Sequence, residues 1–194
     1  MDAQQLRAMI RQARAGSGQA YRQFLAAYGP RLYGYFYRAT GSPEEAEDLL
    51  GELMLRLLRR LGQYDERGRF EPWLFRIAAN LVRDRIRRIK ARPPMASLEI
   101  DHGDGRALAE TIRGPARPVD AAALRAEARA DLDAALETLD ETSRQMVLLR
   151  HFAEMSFREI ADTFECPVGT VLAKVHRAVK ALRAVMKEAE NDSE

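Results

Sequence analysis

Residues 156–183 read "SFREIADTFECPVGTVLAKVHRAVKALR". Ser156 stands where a helix N-cap would, and Glu159, three residues on, completes a capping box. Ile160 and Ala161 face inward in this first helix, the small alanine suiting a close helix crossing. A short turn at Glu165 and Cys166 leads to Pro167, whose fixed φ suits the first turn of a new helix. In that second helix Val171, Val175, Ala178 and Leu182 recur at helical spacing and form the buried face. Thr170, Lys174 and Arg177 lie opposite, flanked by His176, Lys180 and Arg183. The pattern is that of a helix-turn-helix over about 156–176: an exposed helix start for base edges, then cations for phosphates. An ordinary helical corner gives a similar pattern, so the rest of the chain has to decide.

Toward the C-terminus, "KEAENDSE" is an acidic tail expected to fray. Toward the N-terminus, Leu132, Leu136 and Leu139 mark one helix, and Met146, Leu149 and Phe152 another. Residues 121–194 therefore read as one small helical domain. Periodicity fails between Arg92 and Val119, a stretch with four prolines and four acidic residues. Residues 93–120 are read as a linker.

Residues 1–92 read as a second helical domain. "GSPEEAEDLLGELMLRLLRRLG" (41–62) has Ser42 as N-cap, Pro43 at the first helical position and Glu45 completing a capping box. Leu50, Met54, Leu57, Leu58 and Leu61 form its apolar face, and Gly62 is a stop. The polar loop "QYDERGR" leads to a helix over "EPWLFRIAANLVRDRIRRIKA" (71–91). Upstream, residues from about Gly18 to Ala39 make one helix or two, carrying Tyr21, Phe24, Tyr33 and Phe36. No strand-like alternation and no internal repeat is found. The fold class is all-α, two small helical domains joined by a flexible linker.

Composition narrows the function. Of 194 residues, 46% are apolar, enough for a packed core, and the formal net charge is only +2, so composition alone does not indicate nucleic acid. The single cysteine, Cys166, excludes an intramolecular disulfide framework and fits a reducing cytosol. No apolar run reaches membrane-spanning length, and "MDAQQLRAMIRQARAG" lacks an apolar secretory core. The expectation is a cytoplasmic protein with no membrane insertion. No phosphate loop, nucleophile motif or catalytic carboxylate pair is present, and His102, His151 and His176 are too scattered for a metal site. The chain is read as no enzyme, with no cofactor and no metal. Cys166 fits a small packed residue first and a redox sensor second.

Charge is distributed unevenly. Residues 81–92 hold six Lys or Arg and one Asp. On a helix, Arg76, Asn80, Arg83, Arg87 and Lys90 line up in one stripe, with Leu74, Ile77, Ala78 and Leu81 on the other side. Solvated faces mix signs, whereas this stripe is basic with an amide inside it, as a nucleic-acid surface requires. Trp73 fits core packing first and base stacking second. "PEEAEDLLGE" has five acids and no base. The helix dipole accounts for Glu44 and Glu45, but less well for Glu47, Asp48 and Glu52, and an acidic, leucine-rich patch also suits protein docking.

Two regions together resemble the extracytoplasmic-function (ECF) group of sigma-70-family RNA polymerase sigma factors. "AEDLLGELMLRLLRRL" is similar to the family's regions 2.1–2.2, "WLFRIAANLVRDRIRR" to regions 2.3–2.4, and "LDETSRQMVLLRHFAEMSFREIADTFECPVGTVLAKVHRAVKALR" to region 4. The likeness covers about residues 18–92 and 128–186. It implies promoter-specific transcription initiation with core RNA polymerase, without catalysis by this protein. Glu47, Asp48, Leu49, Leu50, Glu52, Leu53 and Leu57 would dock the coiled coil of the polymerase's largest subunit, and the C-terminal domain its flap. Phe70, Trp73, Arg76, Asn80, Arg83, Asp84, Arg87 and Arg88 would serve the −10 element. The loop from Gln63 to Phe70 would take part in capturing a flipped base. Arg158, Pro167, Thr170, Lys174, His176, Arg177 and Lys180 would serve the −35 element of promoter DNA. The acidic linker stretch "EIDHGDG" would lie where RNA later passes. An anti-sigma factor is an expected partner.

Three departures from the family pattern stand out. Gly51 replaces a common Gln, Glu165 occupies a turn position that usually holds Gly, and "GTVLAKVHRA" stands where "GTVKSRLHRA" is usual. Leu172 and Ala173 motivate an alternative, a decoy that sequesters an anti-sigma factor without directing transcription. The intact stripe from Arg76 to Lys90 argues against it. A helix-turn-helix repressor would leave the acidic helix unexplained.

Overall fold

The computed structural model describes residues 3–61, 64, 68–91 and 130–192, without the side chains of Ala3 and residues 188–192. The described residues form eight helices and no strand. The chain divides into two compact units, Met1–Arg113 and Gly114–Glu194. The linker at 93–120, with its acidic stretch, lies outside the described residues.

In the first unit α1 spans Ala3–Arg14, a helix the sequence reading did not assign. Met9, Ile10 and Ala13 are buried at helical spacing, and that spacing is the signal that would have found it. Helix α2, Gly18–Thr40, starts at Ser17, whose hydroxyl accepts from Ala20 N–H, and ends at Gly41 in the left-handed region at φ 74°. It is one helix, not two, and contains the exposed Pro30. Tertiary burial of Phe24, Tyr28, Leu32, Tyr35 and Phe36 outweighs the missing Pro30 N–H.

Helix α3, Pro43–Arg60, is capped by Ser42, which accepts from Glu45 N–H at 3.3 Å. The expected capping box is only half made. The Glu45 carboxylate accepts instead from Arg85 at 3.0 Å. The apolar face is also rotated from the predicted one. Ala46, Leu49, Leu50, Leu53, Leu57 and Leu61 are buried, while Leu58 is 44% exposed and Met54 only half-buried. Each buried leucine contributes roughly 1.5–3 kcal/mol of transfer free energy. Helix α4, Phe70–Ala91, buries Leu74, Phe75, Ile77, Ala78, Ala79, Leu81 and Val82. It packs on α2 and α3, and α1 packs on α2.

The second unit opens with α5, described over residues 130–137. Leu139, predicted within it, lies just past its end. Helix α6, Glu141–Phe152, is capped by Asp140, which accepts from Ser143 N–H at 3.0 Å. Helices α7, Phe157–Phe164, and α8, Val168–Asp192, complete the unit. Helix α8 packs against both α6 and α7. It continues through Asp192, where the acidic tail was expected to fray.

Candidate nucleic-acid interface

The two cation-bearing helices are held in different ways. Along α4 the predicted apolar side is buried, which turns Arg76, Arg87, Arg88 and Lys90 outward, with Asn80, Arg83 and Asp84 half-buried. Arg83 donates to Asn80 Oδ1 at 3.5 Å, linking two members of the stripe. At its root lies Tyr35, whose phenol burial pushes far above its ordinary pKa, an effect the Arg83 charge partly offsets. The stripe is less uniform in sign than the spacing suggests. Asp84 sits 3.9 Å from Arg87 and 3.8 Å from Arg56 of α3. With the Arg85–Glu45 pair, the Asp84–Arg56 contact ties α4 to α3 through charges at their common edge.

An aromatic cluster closes the N-terminal end of the stripe. Trp73 is half-buried, its ring centroid 4.6 Å from that of Tyr64 and 5.5 Å from that of Phe70. Phe70, expected among the DNA-facing residues, is instead buried against Phe24, Tyr28 and Tyr64. Its place at the first position of α4 turns it into the core, where it supports Trp73 from beneath. Of the loop expected to capture a base, Gln63 and residues 65–67 lie outside the described residues.

The helix-turn-helix forms as the sequence predicts. Ser156 N–H donates to Glu159 Oε2 at 2.8 Å and Glu159 N–H donates to Ser156 Oγ at 3.3 Å, a complete capping box. Glu165 takes the left-handed conformation, φ 52° and ψ 45°, where L-residues other than glycine are strained. The Pro167 carbonyl accepts from Thr170 N–H at 2.9 Å, opening α8. Val171, Val175, Ala178 and Leu182 are buried as expected. Thr170, His176, Arg177 and Lys180 are exposed, as are Arg158 on α7 and Pro167 in the turn.

Lys174 differs from its neighbours. Its ammonium lies 3.4 Å from Asp140 Oδ1, and its side chain is only 28% exposed. Burial pushes the Asp140 carboxyl up, but the hydrogen bonds from Ser143 and the Lys174 charge outweigh it and hold the pKa below its ordinary 3.8. Lys174 thus fastens α8 to the start of α6 rather than standing free. The exposed start of α8 also carries two apolar side chains, Val168 at 40% and Leu172 at 45% exposure. Cys166 is half-buried.

On α3 the acidic and apolar docking candidates separate. Asp48 is exposed and Glu47 half-buried, and Glu52 pairs with Arg56 at 2.7 Å. Glu47 raises the pKa of Tyr33 after burial has done so. Leu49, Leu50, Leu53 and Leu57 are buried in their own unit, so they position the helix and cannot themselves be touched by a partner. The outward apolar residues are Leu55, 55% exposed, and Leu58. The rotated register hid them from the sequence pattern. Among the described residues no group of His, Cys, Asp and Glu is placed to hold a metal, and no helix is long and apolar enough to cross a membrane.

Sigma-70 region 2 matches residues 24–92 and Sigma-70, region 4 matches residues 129–182. The ECF RNA polymerase sigma factor SigW of Bacillus subtilis is 29% identical over 180 residues, 92% of this chain and 95% of that protein. The ECF RNA polymerase sigma factor BldN of Streptomyces coelicolor is 30% identical over 188 residues, 96% of this chain and 68% of that protein. Among solved structures, the sigma factor RpoE in complex with the anti-sigma factor NepR from Bartonella quintana is similar in fold. Its TM-score is 0.57 at 20% identity, covering 86% of this chain and 96% of that one.

Proposed function

The chain belongs to the ECF group of sigma-70-family RNA polymerase sigma factors and directs promoter-specific transcription initiation, and from that premise we propose how its surfaces divide the work. It acts by binding, with no catalytic step of its own. The observation that carries the division is the outward row on α4, which ends at the half-buried Trp73. Arg76, Arg87 and Arg88 contact −10 phosphates, and Asn80 with Arg83 faces base edges. Trp73 offers a ring face to an unstacked base, with Phe70 behind it. Asp84 orients Arg87. Unpairing a base costs a few kcal/mol, and several phosphate contacts offset it.

The start of α8 reads the −35 element. Thr170, with the backbone at Pro167, approaches base edges, and Arg158, His176, Arg177 and Lys180 hold phosphates. Lys174 joins them only by leaving Asp140. Docking to the coiled coil of the polymerase's largest subunit uses the outer side of α3: Glu47, Asp48 and Glu52 with Leu55 and Leu58. The second unit meets the flap, and an anti-sigma factor covers these same faces in the inactive state. Such a protein works in the cytoplasm.

Run-off transcription tests the reading directly. The protein is added to core RNA polymerase of its own organism on pooled genomic promoters. Discrete start sites that require the protein are expected. The absence of both polymerase binding and a dependent transcript would overturn the reading in favour of the decoy.

A further inference from the structure

The surface formed by α1 and the start of α2 has no role in the functions assigned so far. Residues 3–43 contain six arginines and not one Asp or Glu, and only Asp2 precedes them as an acid. Helices gain stability from acids in the first turn. Neither α1 nor α2 has one there, whereas α3 begins with Glu44 and Glu45. The helix dipole favours cations in the last turn, which accounts for Arg11 and Arg14, but it accounts for neither Arg7 nor Arg22.

Arg7, Arg11 and Arg14 stand at i, i+4 and i+7 on α1, opposite the buried Met9, Ile10 and Ala13. All three are exposed, and Arg22 is exposed on the adjoining turn of α2. The spacing repeats that of Arg76, Asn80 and Arg83 on α4. Arg14 places the row. Its guanidinium donates to the Leu61 carbonyl at 2.9 Å and also to the Tyr64 carbonyl. Tyr64 in turn packs its ring on Trp73. The row on α1 therefore starts beside the aromatic cluster where the α4 row ends.

We propose that Arg7, Arg11 and Arg22 form a second, sequence-independent phosphate-binding surface, which takes up the single strand leaving the Tyr64–Trp73 cluster. The inference rests on the proposed role of α4 and extends the nucleic-acid path past it. Arginines at successive helical turns suit a backbone, since phosphates are fixed in spacing while bases vary. With no acid among them, the row keeps its field for an external polyanion.

The test uses the full chain and a fluorescein-labelled 25-nucleotide oligo-dT, with anisotropy read across a salt series. The double variant Arg7→Gln/Arg11→Gln removes two contacts, both at exposed positions. Its salt slope is expected to become shallower by about 1.4, at about 0.7 for each single-strand phosphate. Arg7→Lys/Arg11→Lys is expected to restore the slope. Circular dichroism should show unchanged helix content. Arg83→Ala/Arg87→Ala serves as the control for α4. A normal slope in the α1 variant, with a shallower one in the α4 variant, overturns this inference and leaves the α4 reading intact. Normal slopes in both overturn both. An α1 variant with normal DNA binding and weakened core-polymerase binding makes the row a protein-docking surface, which also overturns the proposal.

Discussion

Helices α4 and α8 each pack on two partner helices and both present cations, yet they present them in different ways. Helix α4 is pinned by charge as well as packing: Arg85 to Glu45 and Asp84 to Arg56, both on α3, while Asp84 also neighbours Arg87 on α4 itself. Its outward row is partly balanced by its own acid. Helix α8 is tied by charge through Lys174 to Asp140, and its start carries the exposed apolar residues Val168 and Leu172. A helix tied along its length by charge as well as packing can carry a long polar row without losing its place. A helix that must project its first turn is positioned by the turn before it, here a strained Glu165 and Pro167. The difference separates two ways of presenting a surface: a rigid wall along a helix, and a helix end.

Core truncation is the strongest way to probe this contrast. Leu81 is fully buried on the inner face of α4, and Leu81→Ala is expected to cost about 3 kcal/mol. Chemical denaturation should show the loss in the transition of the first unit alone. Equal loss in both units would break the picture of two separately stabilised units.

Next in size is the outward row. Arg87, 73% exposed, and Arg88 are expected to leave stability unchanged when both become alanine. Duplex binding should show a salt slope shallower by about 1.8, at about 0.9 per phosphate. Lys174→Ala should change the slope less than any single loss on α4, because Asp140 already occupies that ammonium. Equal slopes for Lys174 and Arg87 variants would erase the distinction between the two helices.

Backbone strain gives a smaller effect of opposite sign. Glu165→Gly is expected to raise stability by about 1 kcal/mol, by relieving the left-handed residue. On α3, Gly51 has open space where a Cβ would sit, so Gly51→Ala is also expected to stabilise, by about 0.5–1 kcal/mol. Unchanged melting temperatures would remove strain from the account of the turn.

The smallest effect is acid sensitivity. Asp140's folded pKa lies below 3.8, so its contribution is full above that value and is lost as pH falls through the lower folded pKa. Unfolding of the second unit followed from pH 5 downward should show this loss. Asp140→Ala should remove that component and cost about 1 kcal/mol at neutral pH through the lost cap. An identical acid profile in the variant would refute the role of the Asp140–Lys174 pair.

Local rules made much of this legible. The Ser156–Glu159 box, the Pro167 start and the buried row from Val171 to Leu182 depend on residues within a turn or two of each other. Where the sequence pattern misled, a distant partner had intervened. Glu45 was free to close its capping box but found Arg85, forty positions away. Leu58 kept helical spacing with Leu61 yet faced outward, because α2 and α4 approach α3 from the side of Leu49, Leu53 and Leu57. Phe70 looked available at a helix start until Phe24 and Tyr28 covered it. Helix α1 was overlooked although its periodicity was present.

The sequence by itself determined α3, α4, the helix-turn-helix with its Ser156 cap and the presence of a basic stripe, because those follow from neighbouring residues and a 3.6-residue period. It also carried the family resemblance. Only the tertiary structure decided which side of α3 faces solvent, that Lys174 is held by Asp140, and that the arginines of α1 begin beside Tyr64 and Trp73. Those facts depend on which helix faces come together, and packing between elements far apart in the chain sets that choice.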